Sequence, residues 1–240
     1  MKLISYNLHK HNAVTELLPL AAVHAPDAVC VQEADTRHLP PRLGDLELVH
    51  ATSENRLGLA VYLRTGRFDV RDLQVTALEK SFHDRVMKPA SERLVTVRAH
   101  DGKHDRDVVI ASFHAAPLTA TNALRRQQIR TSFDVLGTMG ADVPSVMIGD
   151  FNYPLFQNRL RRHVDACGFD LARSAGATYS RYGVLRGNYD LAVSRGFSRS
   201  QVDVLPQGRS DHLPILVQAS VGHGRGSTDS GTARRAVVTA

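Results

Sequence analysis

Short apolar runs rich in β-branched residues recur along the chain, each bounded by polar residues, Gly or Pro. They read as strands: KLISYN (2–7), AVCVQE (28–33), LGLAVYLR (57–64), RLVTVRA (93–99), DVVIASFH (107–114), SVMIGDFN (145–152), YDLAVS (189–194) and LPILVQA (213–219). Between them the spacing shifts to that of helices. Residues 13–25 form one such segment, with Pro19 expected to kink it or shift its start. Residues 119–140 form the longest, with Ala123, Ile129, Phe133 and Leu136 on one apolar face and Arg125, Arg126 and Arg130 left to solvent or a partner. A third covers 155–168 and is closed by Gly168.

Residues 65–92 mix strand-like and loop-like pieces, and 79–93 reads as an exposed loop carrying His83, Arg85 and Lys88. From Val221 the chain turns to Gly, Ser, Thr and Ala without periodicity. This predicts a single domain over 1–220 and a disordered tail over 221–240. Many strands with a few interspersed helices place the domain in the layered α/β class.

Composition adds bounds. The chain of 240 residues is 42% hydrophobic, enough for a substantial core. It has no apolar run of membrane-spanning length, which requires about 18 residues. No basic segment followed by an apolar stretch precedes the first strand, so a soluble, cytoplasmic monomer is expected. Two cysteines make a disulfide framework improbable, and Cys30, inside AVCV, reads as a small core residue. The formal charge of +6 suits a polyanionic partner such as nucleic acid. That signal is diluted, because 25 of the 30 basic residues are Arg, a bias that genome composition alone produces.

The chemistry sits where the strands end. Asn7 and Glu33 close the first two strands, His114 closes the fifth, and Asp150 and Asn152 follow the sixth. Asp190 opens the seventh, and Asp211 with His212 precedes the eighth. In a sheet with antiparallel neighbours, the end of one strand and the start of the next share an edge, which brings all eight residues to one rim. Each alone is an ordinary turn or cap residue; six strand termini with this chemistry are not ordinary. Carboxylates with amide oxygens are hard ligands for Mg²⁺ or Mn²⁺, and no zinc-type Cys/His spacing is present. Two His and further Asp remain for proton transfer and for charge developing on a phosphate. Metal-assisted phosphoester hydrolysis uses the whole set.

The ordered pieces YN (6–7), QE (32–33), SFH (112–114), GDFN (149–152), YDLAVS (189–194) and SDHLPI (210–215) resemble the endonuclease/exonuclease/phosphatase superfamily, from residue 1 to about 219. The resemblance implies a two-sheet, four-layer α/β sandwich with helices on the outer faces and the site at one end of the sheets. It implies Glu33 as the main metal ligand, helped by Asn7 and Asp211. It places His212 on the scissile phosphate with Asp190 orienting it, and Asp150 on the attacking water. Asn152 holds water or phosphate, and His114 stands beside the phosphate and leaving group. Tyr6, Phe113 and Phe151 read as core residues flanking these positions, and His9, His11, His24, His83 and His163 as ordinary histidines.

Nucleic acid is the first substrate class implied, with Arg125, Arg126 and Arg130 as a phosphate grip or a solvated helix face. A small-molecule or lipid phosphate is the alternative, and a catalytically silent binding module the remote one. The chain has no Trp, so a Trp-lined pocket for an abasic site is not supported.

Overall fold

The computed structural model describes residues 1–82, 84, 91–181 and 185–220. The tail over 221–240, and His83, Arg85 and Lys88 of the expected loop, lie outside the described residues.

Among the described residues, fifteen strands and three α-helices alternate. β1 (Lys2–Asn7), α1 (Leu17–His24), β2 (Ala28–Ala34), β3 (Arg42–Leu43), β4 (Leu46–Ala51) and β5 (Gly58–Arg64) form the first half, with β6 (Phe68–Ala77) crossing to a second sheet. β7 (Glu92–Asp101), β8 (Arg106–His114), α2 (Asn122–Thr138), β9 (Ser145–Asp150), α3 (Gln157–Ala166) and β10 (Asp170–Ala172) follow. The hairpin β11 (Tyr179–Arg181) and β12 (Leu185–Gly187) precedes β13 (Asp190–Arg195), β14 (Arg199–Val204) and β15 (Ile215–Ser220).

The strands build a seven-stranded sheet, β14-β15-β1-β2-β5-β4-β3, and a six-stranded sheet, β10-β13-β9-β8-β7-β6. Alternation along each strand assigns its two faces. From β1 and β2, Leu3 and Cys30 join Leu59, Val97, Ile110, Val146 and Ile148 in a core between the sheets. Ile4, Tyr6, Val29 and Val31 point the other way and pack with Leu17 and Ala21 of α1. On the far side Val109, Phe113 and Met147 pack with Ile129, Phe133 and Leu136 of α2 and Leu160 and Val164 of α3. This is the four-layer sandwich with outer helices.

Local expectations are met with corrections. Pro19 is tolerated because α1 begins at Leu17, which puts the proline in the first turn, where its missing N–H costs no helical bond. Thr121 caps α2, its side chain accepting the Leu124 N–H at 3.2 Å. Ala123 is exposed rather than part of the apolar face, and Arg125 is buried rather than wet. The rim also differs from expectation: it is made by two sheets, and β1/β2 and β8/β9 are parallel pairs. Parallel pairing puts the C-terminal ends of those strands side by side, and both sheets present them at the same end of the sandwich.

Candidate active site

Register delivers the residues. β8 and β9 pair His114 with Asp150, and antiparallel β13 pairs Asp190 with the same Asp150. Gly149 makes the approach of β8 and β9 possible: its φ is +153°, and a Cβ there would meet the Phe113 carbonyl oxygen at 1.9 Å. After β9 the chain turns sharply at Asn152, φ +47°, which aims the carboxamide back at the strand end. Glu33 likewise adopts a left-handed conformation, φ +53°, within an irregularity of β2. Gln32, beside it, points between the sheets, accepting from Ser5 Oγ at 3.2 Å and donating to Ser112 Oγ at 3.0 Å.

Asp150 is the hub. Its Oδ2 accepts from Asn7 Nδ2 at 3.1 Å, across the sheet boundary, and from Asn152 Nδ2 at 3.2 Å. His114 Nε2 lies 3.6 Å from Oδ2 and His212 Nε2 lies 3.7 Å from it. Its Oδ1 accepts the Asn152 N–H at 2.8 Å. Behind His212, Nδ1 is 2.8 Å from Asp190 Oδ2. Thr178 Oγ1 takes the Asp190 N–H at 2.9 Å, and Ser210 Oγ takes the His212 N–H at 3.0 Å while donating to the Asn7 carbonyl at 2.7 Å. Tyr179 meets the His212 ring edge-on, with centroids 4.8 Å apart.

His114, Asp150, Asn152, Tyr179 and His212 form the floor of a cleft of about 280 Å³, Glu33 and Asp211 line its wall, and Asn7 and Asp190 support the floor through Asp150 and His212. Glu33 Oε2 accepts the Lys10 N–H at 3.0 Å, and Asp211 Oδ1 lies 2.5 Å from His9 Nδ1. All eight sequence-predicted residues therefore meet at one place. His9 is a correction: it lines the cleft and holds Asp211, although nothing in its own segment marked it. Sequence reasoning also passed over Arg93, Thr178 and Ser210; Ser210 alone carried a signal, standing directly before Asp211 and His212. Tyr6, Phe113 and Phe151 are fully buried, as expected.

Electrostatics follow from burial and neighbours. Burial disfavours charge on His212, but the carboxylates of Asp190 and Asp150 and the hydrogen bond to Asp190 outweigh it and raise its pKa. Burial pushes the Asp150 carboxyl up, with Asp190 and Glu33 adding to the rise and His212 opposing it. Burial, then the positive charges of Arg93 and His212, push His114 down to about 3, so it is neutral. The floor thus holds a cationic imidazole and a neutral one, 3.7 and 3.6 Å from a carboxyl of raised pKa.

Two groups of donors are candidates for a cation. Asp150, Asp190 and His212 each offer an atom, all within 4.8 Å of one another. Asp190 Oδ2 and His212 Nδ1 are spent on each other, and Asp150 Oδ2 accepts two carboxamide N–H groups, so this trio is a poor cage. Glu33 and Asp211 fit better, and Asn7 Oδ1, which accepts the His9 N–H at 3.0 Å, keeps a lone pair for a further bond. They are hard oxygen donors, and Glu33 and Asp211 each have one carboxylate oxygen with no partner among the described residues.

The expected arginine group divides. Arg125 is buried and donates to the Pro117 carbonyl at 2.6 Å and to Asn122 Oδ1 at 2.8 Å. Arg126 donates to Tyr153 Oη at 2.8 Å, and Arg130 lines a different recess with Phe133 and His163. The free cations at the cleft are Arg56 and Lys10, whose side chains have no partner among the described residues.

A family model described as Endonuclease/Exonuclease/phosphatase family matches residues 4–212. No curated protein matches the chain. Among solved structures, D. rerio TDP2 complexed with single-strand DNA product is similar, with a TM-score of 0.69 at 14% identity over 90% of this chain and 97% of that one. A mannosyl-6-phosphatase from Bacteroides thetaiotaomicron aligns with a TM-score of 0.69 at 14% identity, over 91% of this chain and 99% of that one. The catalytic domain of human Nocturnin with bound sulfate aligns with a TM-score of 0.66 at 17% identity, over 92% of this chain and 93% of that one. At such identities these likenesses speak for the fold. No helix among the described residues is long and apolar enough to cross a membrane.

Proposed function

The chain belongs to the Endonuclease/Exonuclease/phosphatase family and is a metal-dependent phosphoesterase, and from that premise we propose that it hydrolyses a phosphodiester by direct attack of water, with Mg²⁺ as the cation and nucleic acid as the first substrate class. The observation that carries the reading is the convergence of Asn7, His114, Asn152 and His212 on Asp150 Oδ2, at 3.1, 3.6, 3.2 and 3.7 Å.

Glu33, with Asn7 and Asp211, would hold the cation, which supplies neutralisation of negative charge on the phosphoryl oxygens when bound. Asp150 has the raised pKa suited to taking a proton from water, and the carboxamides on its oxygens fix its orientation. His212, kept cationic by Asp190, directs its Nε2–H at a phosphoryl oxygen as negative charge grows there. Neutral His114 provides a second donor beside the leaving group. Asn152 holds the water or a phosphate oxygen.

The second reading, a small or lipid phosphate, gains from one observation: Arg125 is consumed by backbone carbonyls, so the helix does not offer the row of cations a long polyanion would use. Comparing kcat/KM on an oligonucleotide series, a mononucleotide ester and a soluble phosphoinositide at fixed salt separates the two. Nucleic acid is supported if kcat/KM rises with strand length; equal or better turnover of the small esters leaves only the general phosphoesterase.

A further inference from the structure

We propose that the buried Asp84–Arg93 ion pair fixes the His114 imidazole beside Asp150, which makes Arg93 a positioning residue for the reaction. The inference rests on the reading in which His114 touches the substrate.

Arg93 is the second residue of β7 and is 3% exposed, and its guanidinium is committed in two directions. Nη1 donates to the His114 carbonyl at 3.0 Å and to the Ala115 carbonyl at 2.9 Å. Nη2 donates to Asp84 Oδ1 at 2.6 Å, and Asp84 Oδ2 accepts the Ser81 N–H and hydroxyl at 2.9 and 2.7 Å. One cation therefore grips both peptide units where β8 ends. The grip extends further: the Ala115 carbonyl also accepts from Asn152 Nδ2 at 3.3 Å, and the Ala115 N–H donates to the Asp150 carbonyl at 2.8 Å. His114, Asp150 and Asn152 thus share a backbone junction that Arg93 holds.

Stability alone does not explain this arrangement. A buried ion pair is often no better than a well-packed apolar pair of similar volume. Here Arg93 Nε is buried with no partner among the described residues, a further cost. Carbonyls at a strand end near a cleft are readily satisfied by water. A guanidinium instead imposes a planar, two-point geometry that water does not. The charges around His114 agree with this role. Arg93 and His212 face it as cations and Asp84 and Asp150 as acids, and burial, with the two cations, keeps the ring neutral.

The test compares kcat, KM and the ¹⁵N imidazole shifts of His114 in the full chain. Arg93→Met alone leaves Asp84 as an unpaired buried charge, so the informative variant is Asp84→Leu with Arg93→Met, which removes both charges. We expect kcat to fall about 10- to 100-fold with KM within about twofold, since a misplacement on the scale of 1 Å costs up to about 10²-fold. The His114 resonances should move, and Arg93→Lys should recover part of the loss. In a His114→Ala background the double change should cost much less than in the wild type, because Arg93 acts chiefly through His114. Arg67→Met, which breaks the ion pairs to Asp27 and Asp101 away from the cleft, should lower stability while leaving kcat unchanged. Wild-type kcat in Asp84→Leu/Arg93→Met, or losses that multiply with His114→Ala, would overturn the proposal. Full activity in His114→Ala overturns the reading of His114 itself, a distinct failure.

Discussion

Asp190 Oδ2 stands 2.8 Å from His212 Nδ1, and both residues are buried, with side chains 1% and 8% exposed. The other Asp190 oxygen, Oδ1, is buried without a partner among the described residues. A carboxylate placed this way has one task, to hold and charge the imidazole. Asp190→Asn and His212→Ala should each lower kcat by about 10²-fold or more. Residues acting as a unit are not additive, so the double variant should be far less impaired than the product of the two losses. Steady-state kinetics of the four proteins measures this, and strictly multiplicative losses would show an uncoupled pair.

Gly149 should be close to irreplaceable. A Cβ would collide with the Phe113 carbonyl, and the φ of +153° is hostile to any L side chain. Gly149→Ala should cost about 3 kcal/mol or more, combining crowding and backbone strain. Gly44→Ala is the control: its φ is +64° but nothing lies within 4 Å of its Cβ position, so only about 1 kcal/mol is expected. Urea denaturation compares them, and equal costs would refute the close approach of β8 and β9.

A pH effect on stability is expected at the end of β7. Burial disfavours charge on Asp101, but hydrogen bonds from Arg67 and His104 prevail and hold its pKa at about 2. A carboxyl depressed below its unfolded value of about 3.9 stabilises the fold above that pH, and the contribution is lost as pH falls toward 2. Asp101→Asn should cost roughly 2 kcal/mol at pH 7. The gap to wild type should close between about pH 4 and 2. Denaturation midpoints across that range decide it; a gap independent of pH would mean that Asp101 contributes only shape.

If the substrate is a nucleic acid, Arg56 is the cation to change. It lines the cleft without a partner among the described residues, unlike Arg125. Arg56→Ala should weaken strand binding and flatten the log–log salt dependence by about 0.7 to 0.9. Arg125→Met should instead lower stability and leave that slope alone. The reverse pattern would restore the helix as the phosphate track.

Much of the site was legible because its residues sit at strand ends in a fixed order, and strand ends are where an apolar run meets polar residues. The core strands were legible for the same reason. β4, β6 and β14 were not, because each buries few side chains: Leu46 alone in β4, none in β6 and Val202 alone in β14. Such strands carry no clean alternation. His9 was invisible because its role is set by a partner 202 residues away. Arg125 was misplaced because periodicity assigns faces by polarity, whereas a guanidinium can be buried when carbonyls pair its N–H groups.

The central claim is that Glu33 anchors a divalent cation over a phosphoester held by His212, with Asp150 on the attacking water. The most direct test is hydrolysis of a chromogenic phosphodiester by wild type and Glu33→Gln across a Mg²⁺ titration, with EDTA as the zero point. The account predicts no turnover in EDTA, saturable rescue by Mg²⁺ in wild type, and a loss of about 10²-fold or more in Glu33→Gln. Full activity in EDTA, or a Glu33→Gln protein that titrates like wild type, would contradict it.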